Sequence, residues 1–315
     1  MAPASIALTS CHDACMRIGF GIPTLGPWAT PDNQVHVAKR AEELGYDSVW
    51  VLQRLLNPTG LGTDVYRQCP DPLVTLAFLA GQTRRVRLGV AIVNLPFHSP
   101  PLLAQQTATL DRVSCGRLEL GVGLGWVPEE FAASGISMAR RGARADEYIS
   151  LLDALWTQDV VDHHGEFYEV SSSRLEPKPV QSPRPPLLLG GGTDAAYRRA
   201  GRLADGWISA SRHDLTRIGD AIGVVKRAAR DAGRDVDALR FVVRGVARVR
   251  EAGRPNRSPL SGSFQEIRQD LTALAGQGAT ETFIDLNFDD EVVGAGIPAE
   301  ASMAHAERAL VELAP

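Results

Sequence analysis

Two glycine clusters mark the places where the backbone of this 315-residue chain could meet a ligand. Gly190-Gly191-Gly192-Thr193-Asp194 follows the apolar run Leu187-Leu188-Leu189 and precedes a helix-compatible stretch. A strand that runs into glycines, a hydroxyl and a helix start gathers free N–H groups and a helix dipole around one point, which is how a phosphate is held. The same residues suit a plain capping turn in which Thr193 or Asp194 closes the helix. Phosphate binding is the favoured of the two. Gly121-Val122-Gly123-Leu124-Gly125, at the end of the stretch from Gly116 to Trp126, reads as a buried strand entering a glycine-lined turn. It either lets a flat or phosphorylated ligand approach the main chain or is a tight strand-to-helix turn with no ligand.

Other chemistries find less support. Adjacent histidines on a strand point to opposite faces, so His163-His164-Gly165-Glu166 reads as a hairpin surface rather than a metal site. No His-x-His, His-Glu-x-x-His or paired-cysteine spacing suggests a metal elsewhere. Ser114, Ser209 and Ser211 lack a nucleophile-elbow context, which disfavours acyl transfer. Arg140, Arg141 and Arg144 precede or open a helix. Cations there oppose the helix dipole unless an anion is present, although a solvated face is the default.

These groups need a frame, and the apolar pattern supplies one. Candidate strands at Arg17–Ile22, Ser48–Leu52, Val86–Val93, Leu118–Val122, Pro186–Leu189, Gly206–Ala210, Arg240–Val249 and Thr282–Leu286 alternate with helical patterns. Those helices run Pro31–Gly45, Pro72–Gly81, Pro100–Val113, Arg141–Trp156, Asp194–Leu203, Leu215–Ala232 and Ser263–Ala275, with Ala301–Leu313 as the last. Such alternation is the signature of βα units and predicts an α/β fold, the (β/α)8 TIM barrel. A doubly wound open sheet is second, because Gly19-Phe20-Gly21-Ile22-Pro23 lacks the third glycine of its fingerprint. Thr30-Pro31 and Ser99-Pro100 each place a capping hydroxyl before a first-turn proline.

In a barrel the functional groups come from the C-terminal ends of the strands. That rule nominates Pro23 and Thr24, Gln53 and Arg54, Asn94, Gly125 and Trp126, the 190–194 cluster, Ser209 and Ser211, Arg244, and Asp285 with Asn287. Residues 16–315 read as one domain with insertions at about 53–70, 160–185 and 250–262, after a tail at 1–15 expected to be disordered. A net charge of −4 without a basic stripe argues against nucleic acid. No run of about 18 apolar residues suggests a membrane span, and no signal peptide is visible. Cys11, Cys15, Cys69 and Cys115 read as free thiols, which suits the cytoplasm.

Several stretches together resemble the luciferase-like monooxygenase superfamily, in particular its actinobacterial branch dependent on the deazaflavin coenzyme F420. They are Ala41–Trp50, Leu88-Gly89-Val90 through Pro96, Ala104-Gln105, Ser114–Leu118, Gly121–Trp126, Pro177-Lys178-Pro179 and Asp205-Gly206-Trp207. The resemblance covers Met16 to about Asp290. It implies a homodimeric barrel that holds a deazaflavin, or alternatively FMN, in its mouth. It further implies a bulge with a non-proline cis peptide near Ala91-Ile92, behind the cofactor ring. Leu124, Gly125 and Trp126 would flank the ring, and Gly191, Gly192 and Thr193 would hold its phosphate. The glycine run then becomes the floor under a flat ring.

One departure matters. Sugar-phosphate dehydrogenases of the superfamily carry an acidic residue and a histidine after the second strand and a glutamate after the glycine turn, where this chain has Gln53, Arg54 and Trp126. The expectation is therefore an oxidoreductase moving a hydride between F420 and a small, electron-poor organic molecule, in a mouth shaped by Gln53, Arg54, Asn94 and Trp126. An FMN-dependent monooxygenase and a flavin carrier without turnover are the alternatives. A phosphate-binding lyase or isomerase is disfavoured, because Lys39, Lys178 and Lys226 fall outside the predicted strands.

Overall fold

The computed structural model describes residues 16–315, so the expected tail, with Cys11 and Cys15, lies outside the described residues. Eight parallel strands close into a barrel: β1 (Arg17–Gly21), β2 (Ser48–Val51), β3 (Arg87–Asn94), β4 (Leu118–Gly123), β5 (Leu187–Gly190), β6 (Gly206–Ile208), β7 (Arg240–Val246) and β8 (Glu281–Asp285). Each pairs with its neighbours in sequence, and β8 returns to β1 with Thr282 opposite Ile18. Around them lie α1 (Pro31–Glu43), α2 (Pro72–Ala80), α3 (Pro100–Val113), α4 (Arg141–Thr157), α5 (Asp194–Leu203), α6 (Ile218–Asp231), α7 (Phe264–Gly276) and α8 (Ala299–Glu312). The fold is the (β/α)8 barrel.

β2, β4 and β8 are buried along their whole length, as parallel strands covered on both faces must be. Inside the barrel Trp50 stacks on Phe283 at 5.1 Å and packs with Leu188, Ile208 and Val242. The indole fits because β1 and β3 carry glycines opposite it: a Cβ at Gly89 would lie 2.3 Å from its ring. At the N-terminal pole Trp50 Nε1 donates to Ser48 Oγ at 2.8 Å, and Ser48 donates to Glu281 at 2.6 Å. Arg240 joins Glu281 to Glu119, and Arg87 also pairs with Glu119. Removing one partner would leave a buried charge uncompensated, so this network fixes the closed end of the barrel.

Several local details differ from expectation. Thr30 caps α1 by accepting from Asn33 N, but the Ser99 side chain makes no cap hydrogen bond on α3. The strand expected over Arg240–Val249 ends at Val246. Ala247 N still bonds Asp285 O, but Arg248 N turns to Leu260 O and starts a separate two-residue ladder with Ser261–Gly262. The 160–185 excursion is an antiparallel hairpin of Val161–His164 with Glu169–Ser173, in which His163 meets Glu147 at 3.1 Å. Short helices at Pro128–Ala133 and Asp290–Val293 have no counterpart in the sequence reading. Among the described residues, no helix is long and apolar enough to cross a membrane and no cluster of side chains could hold a metal ion.

Candidate functional site

At the C-terminal mouth of the barrel lies a cavity of about 550 Å³, bounded by the ends of β2 to β7 and the start of α5. Of the residues singled out from the sequence, it is lined by Gln53 and Arg54 after β2, Ala91, Ile92 and Asn94 on β3, Leu124, Gly125 and Trp126 after β4, Gly191, Gly192 and Thr193 after β5, and Ser209, Ser211 and Arg244, whereas Pro23, Thr24, Asp194, Asp285 and Asn287 do not line it.

One wall is β3. Its pairing with β4 shifts register between Val90 and Val93, and the Ala91–Ile92 peptide is cis. The glycines of β4 face this irregular segment. A Cβ at Gly121 would lie 2.3 Å from Val90 O, and one at Gly123 would lie 2.6 Å from Ile92 Cδ1. The run therefore first serves strand-to-strand fit, and only Gly123 and Gly125 also reach the cavity. Gly125 has φ +68°, a backbone shape that favours glycine.

The opposite end is a cradle for an anion. Thr193 caps α5 by accepting from Ala196 N at 3.3 Å, and the other N–H groups of the first turn have no partner within the helix. Gly191, at φ +145°, lets the turn approach α5 closely, since a Cβ there would lie 2.5 Å from that of Ala196. Nothing lies within 4 Å of a Cβ built on Gly192, which leaves open space in front of the helix end. Arg141 and Arg199 complete this end. Arg199 pairs with Asp146, whereas the partner of Arg141 among the described residues is the Gly125 carbonyl, at 3.4 Å. Arg141 is the first residue of α4, where its charge opposes the helix dipole, so an anion would relieve both sites. The other arginines of that cluster turn elsewhere, Arg140 to Glu166 and Arg144 to Ser137 O.

The roof is built from the loop after β2. The Arg54 guanidinium lies over two aromatic rings, that of Tyr66 at 4.4 Å and that of Trp126 at 5.0 Å. Its Nη1 donates to Glu130 Oε2 at 3.1 Å, and Glu130 Oε1 accepts from Leu55 N and Leu56 N. The pair is buried, with side-chain exposures of 7% and 1%, and Arg54 Nε has no partner among the described residues. Trp126, 52% exposed, is the outer plate of this stack. Gln53 is engaged by the protein: its Oε1 accepts from Asn94 N at 2.7 Å and from Asn94 Nδ2, and its Nε2 donates to His98. Burial holds His98 below the ordinary histidine range, which keeps the imidazole neutral and able to accept.

Towards the barrel axis, Arg244 donates to Asp285 at 2.6 Å and to Ala91 O at 3.3 Å, beneath Phe288. Asp285 also accepts from Asn287, which ties the β1 loop by accepting from Thr24 N and Leu25 N. A second cavity of about 990 Å³ adjoins the first and shares Ser211 and Phe288 with it. Tyr66 faces the inner cavity while Val65 and Arg67 face the outer one, so this loop is the partition.

The charged residues of the inner cavity are four arginines, at positions 54, 141, 199 and 244, and no aspartate, glutamate, histidine, lysine or cysteine lines it among the described residues. Glu130, Tyr66, Arg199 and Phe288 escaped the sequence reading. Only Glu130 left a trace, as an acidic residue in a Pro-Glu-Glu helix start.

The sequence model of the luciferase-like monooxygenases matches residues 16–257. The chain belongs to this family. An uncharacterised protein from Mycobacterium tuberculosis (strain ATCC 25618 / H37Rv) is 33% identical over 239 residues, 70% of this chain and 81% of that protein. An F420-dependent glucose-6-phosphate dehydrogenase of Amycolatopsis mediterranei is 35% identical over 212 residues, 66% of this chain and 62% of that protein. Among solved structures, the monooxygenase RslO1 from Streptomyces bottropensis superposes with a TM-score of 0.76 at 26% identity, covering 95% of this chain and 98% of that one. The luciferase-like fold thus extends over nearly the whole described chain.

Proposed function

We propose that this luciferase-like protein is an oxidoreductase that moves a hydride between coenzyme F420 and an electron-poor organic molecule. The observation that carries the proposal is the pairing, in one cavity, of an irregular apolar wall at Ala91–Ile92 with an anion cradle at Gly191–Thr193, Arg141 and Arg199. A flat ring bearing a phosphorylated side chain fits that donor set. Gly192 leaves the space, the first turn of α5 offers N–H groups, and two guanidinium groups offer charge. The likeness to the Amycolatopsis dehydrogenase favours the deazaflavin.

A bound deazaflavin would supply hydride chemistry, leaving the protein to bind, orient and exclude water. Gly191, Gly192, Thr193 and Arg141 would hold the phosphate, Leu124, Gly125 and Ile92 the ring, and the Trp126–Arg54–Tyr66 stack would cover it. The likeness to RslO1 supports a second reading, an FMN-dependent monooxygenase in the same cavity. Titration of the purified protein with F420 and with FMN, followed by fluorescence quenching, separates the two. Tighter binding of F420 is expected, tighter binding of FMN favours the second reading, and binding of neither sinks both.

We also propose a homodimer working in the cytoplasm. α2, Pro-Leu-Val-Thr-Leu-Ala-Phe-Leu-Ala, is apolar on every side, yet Val74 and Phe78 are 70% and 44% exposed on one face. Leu102, on α3 that packs against α2, is exposed as well, and a second copy of the chain would cover the Val74–Phe78 face.

A further inference from the structure

Among the described residues, the cavity wall holds no carboxylate, histidine, lysine or cysteine to serve as the base that alcohol oxidation needs. Removing a hydride from a carbinol carbon requires something to take the hydroxyl proton, a task worth about 10²–10⁴-fold in rate for a positioned base. Here the carboxylates nearest the wall are occupied: Glu130 accepts from Arg54, Leu55 N and Leu56 N, and Asp285 accepts from Arg244 and Asn287. His98 accepts from Gln53, and His213 sits against Tyr197 and Trp207. What the wall does present is fixed positive charge. Arg244 directs Nε and Nη1 to protein acceptors, but the Arg54 guanidinium, which lines the cavity beside Tyr66 and Trp126, donates to Glu130 alone among the described residues.

We propose that the site works as a reductase of conjugated carbonyl compounds, enones and their like, with Arg54 donating to the carbonyl oxygen. This rests on the hydride-transfer reading above. Reduced deazaflavin is the reductant. The hydride adds to the β-carbon of the acceptor, the carbon–carbon π pair moves towards the oxygen to give an enolate, and water protonates the α-carbon. The acceptor gains two electrons and two hydrogen nuclei, and no protein group has to gain or lose a proton. Negative charge develops on the oxygen, where a cation fixed in a water-poor cavity is most effective. The outer cavity, which adjoins the inner one at Ser211 and Phe288, has room for the remainder of the acceptor.

The test uses protein loaded with F420. Reduced cofactor should be oxidised by cyclic enones, and secondary alcohols should not reduce the oxidised cofactor. Arg54→Met should lower kcat/KM for enones about 100-fold or more, by a larger factor than it weakens F420 binding, with partial recovery in Arg54→Lys. Because Arg54 also holds the roof, a second readout avoids turnover. A trifluoromethylphenol, an enolate mimic, should bind the loaded wild-type protein as its phenolate by ¹⁹F NMR at a pH where it is protonated in solution, and should not do so in Arg54→Met. Alcohol oxidation without enone reduction would overturn the acceptor class while leaving the cofactor reading standing. Unchanged enone kinetics and an unchanged phenol signal in Arg54→Met would overturn the role of Arg54. Failure to bind F420 at all would instead strike the hydride-transfer reading.

Discussion

Glu130 is the residue whose loss should be felt most clearly in the roof of the site. Its side chain is buried and accepts three hydrogen bonds, from Arg54 Nη1 at 3.1 Å, Leu55 N at 2.9 Å and Leu56 N at 3.1 Å. Glu130→Ala strands a buried guanidinium, which costs about 3–5 kcal/mol, and leaves two N–H groups at about 1–3 kcal/mol each if they stay buried. The sum exceeds what a loop can bear, so the 53–70 segment should open locally and cap the global loss. Glu130→Gln keeps an oxygen for the two N–H groups and removes only the charge, so about 1.5–3 kcal/mol is expected, the worth of one charged hydrogen bond. Urea unfolding reads the global term, and hydrogen exchange across residues 53–70 reads the local one. The expected pattern is a lowered midpoint in both variants and fast exchange in this segment for Glu130→Ala. If both variants stay within about 1 kcal/mol of wild type and exchange is unchanged, the roof is not held by this carboxylate.

Other consequences follow from the same geometry. Gly192→Asp places a carboxylate in the proposed phosphate cradle and should weaken F420 binding at least about 100-fold, or about 2.7 kcal/mol; equal titration curves for Asp and wild type would remove the cradle. Burial holds His98, His213 and His305 below the ordinary histidine value of 6.5, so unfolding takes up protons as the pH falls below it. Stability should be full above about 6.5 and decline towards the depressed folded values, ahead of the losses from Glu147 and Glu307, whose carboxyls are held below 4.5. Urea midpoints that are level from pH 8 to 5 would contradict this. Phe78→Asp with Val74→Asp should turn a dimer into a monomer in sedimentation, and an unchanged mass would move the interface elsewhere.

The barrel was legible because buried parallel strands leave uninterrupted apolar runs. Leu88–Val93 and Leu187–Leu189 carry that signature and end at turn residues that mark the functional face. Positions nominated after β2 to β7 fall around one cavity for the same reason, since in a barrel strand ends converge whatever the loops do, whereas those after β1 and β8 do not line it. What stayed hidden depends on contacts between distant segments. Glu130 lies in a six-residue helix and takes its meaning from Arg54, 76 positions earlier. The glycine run looked ligand-facing because sequence does not show that β3 bulges towards β4 at Ile92. Gln53 looked available for a ligand because its partners, Asn94 and His98, sit 41 and 45 positions away.

The central claim is direct hydride transfer in this cavity, and isotope transfer tests it most plainly. Protein loaded with reduced F420 carrying deuterium at the hydride position should deliver the label to the reduced carbon of an enone product, read by mass spectrometry. Product without the label, with deuterium lost to water, or product carrying an oxygen atom from O₂, would contradict it.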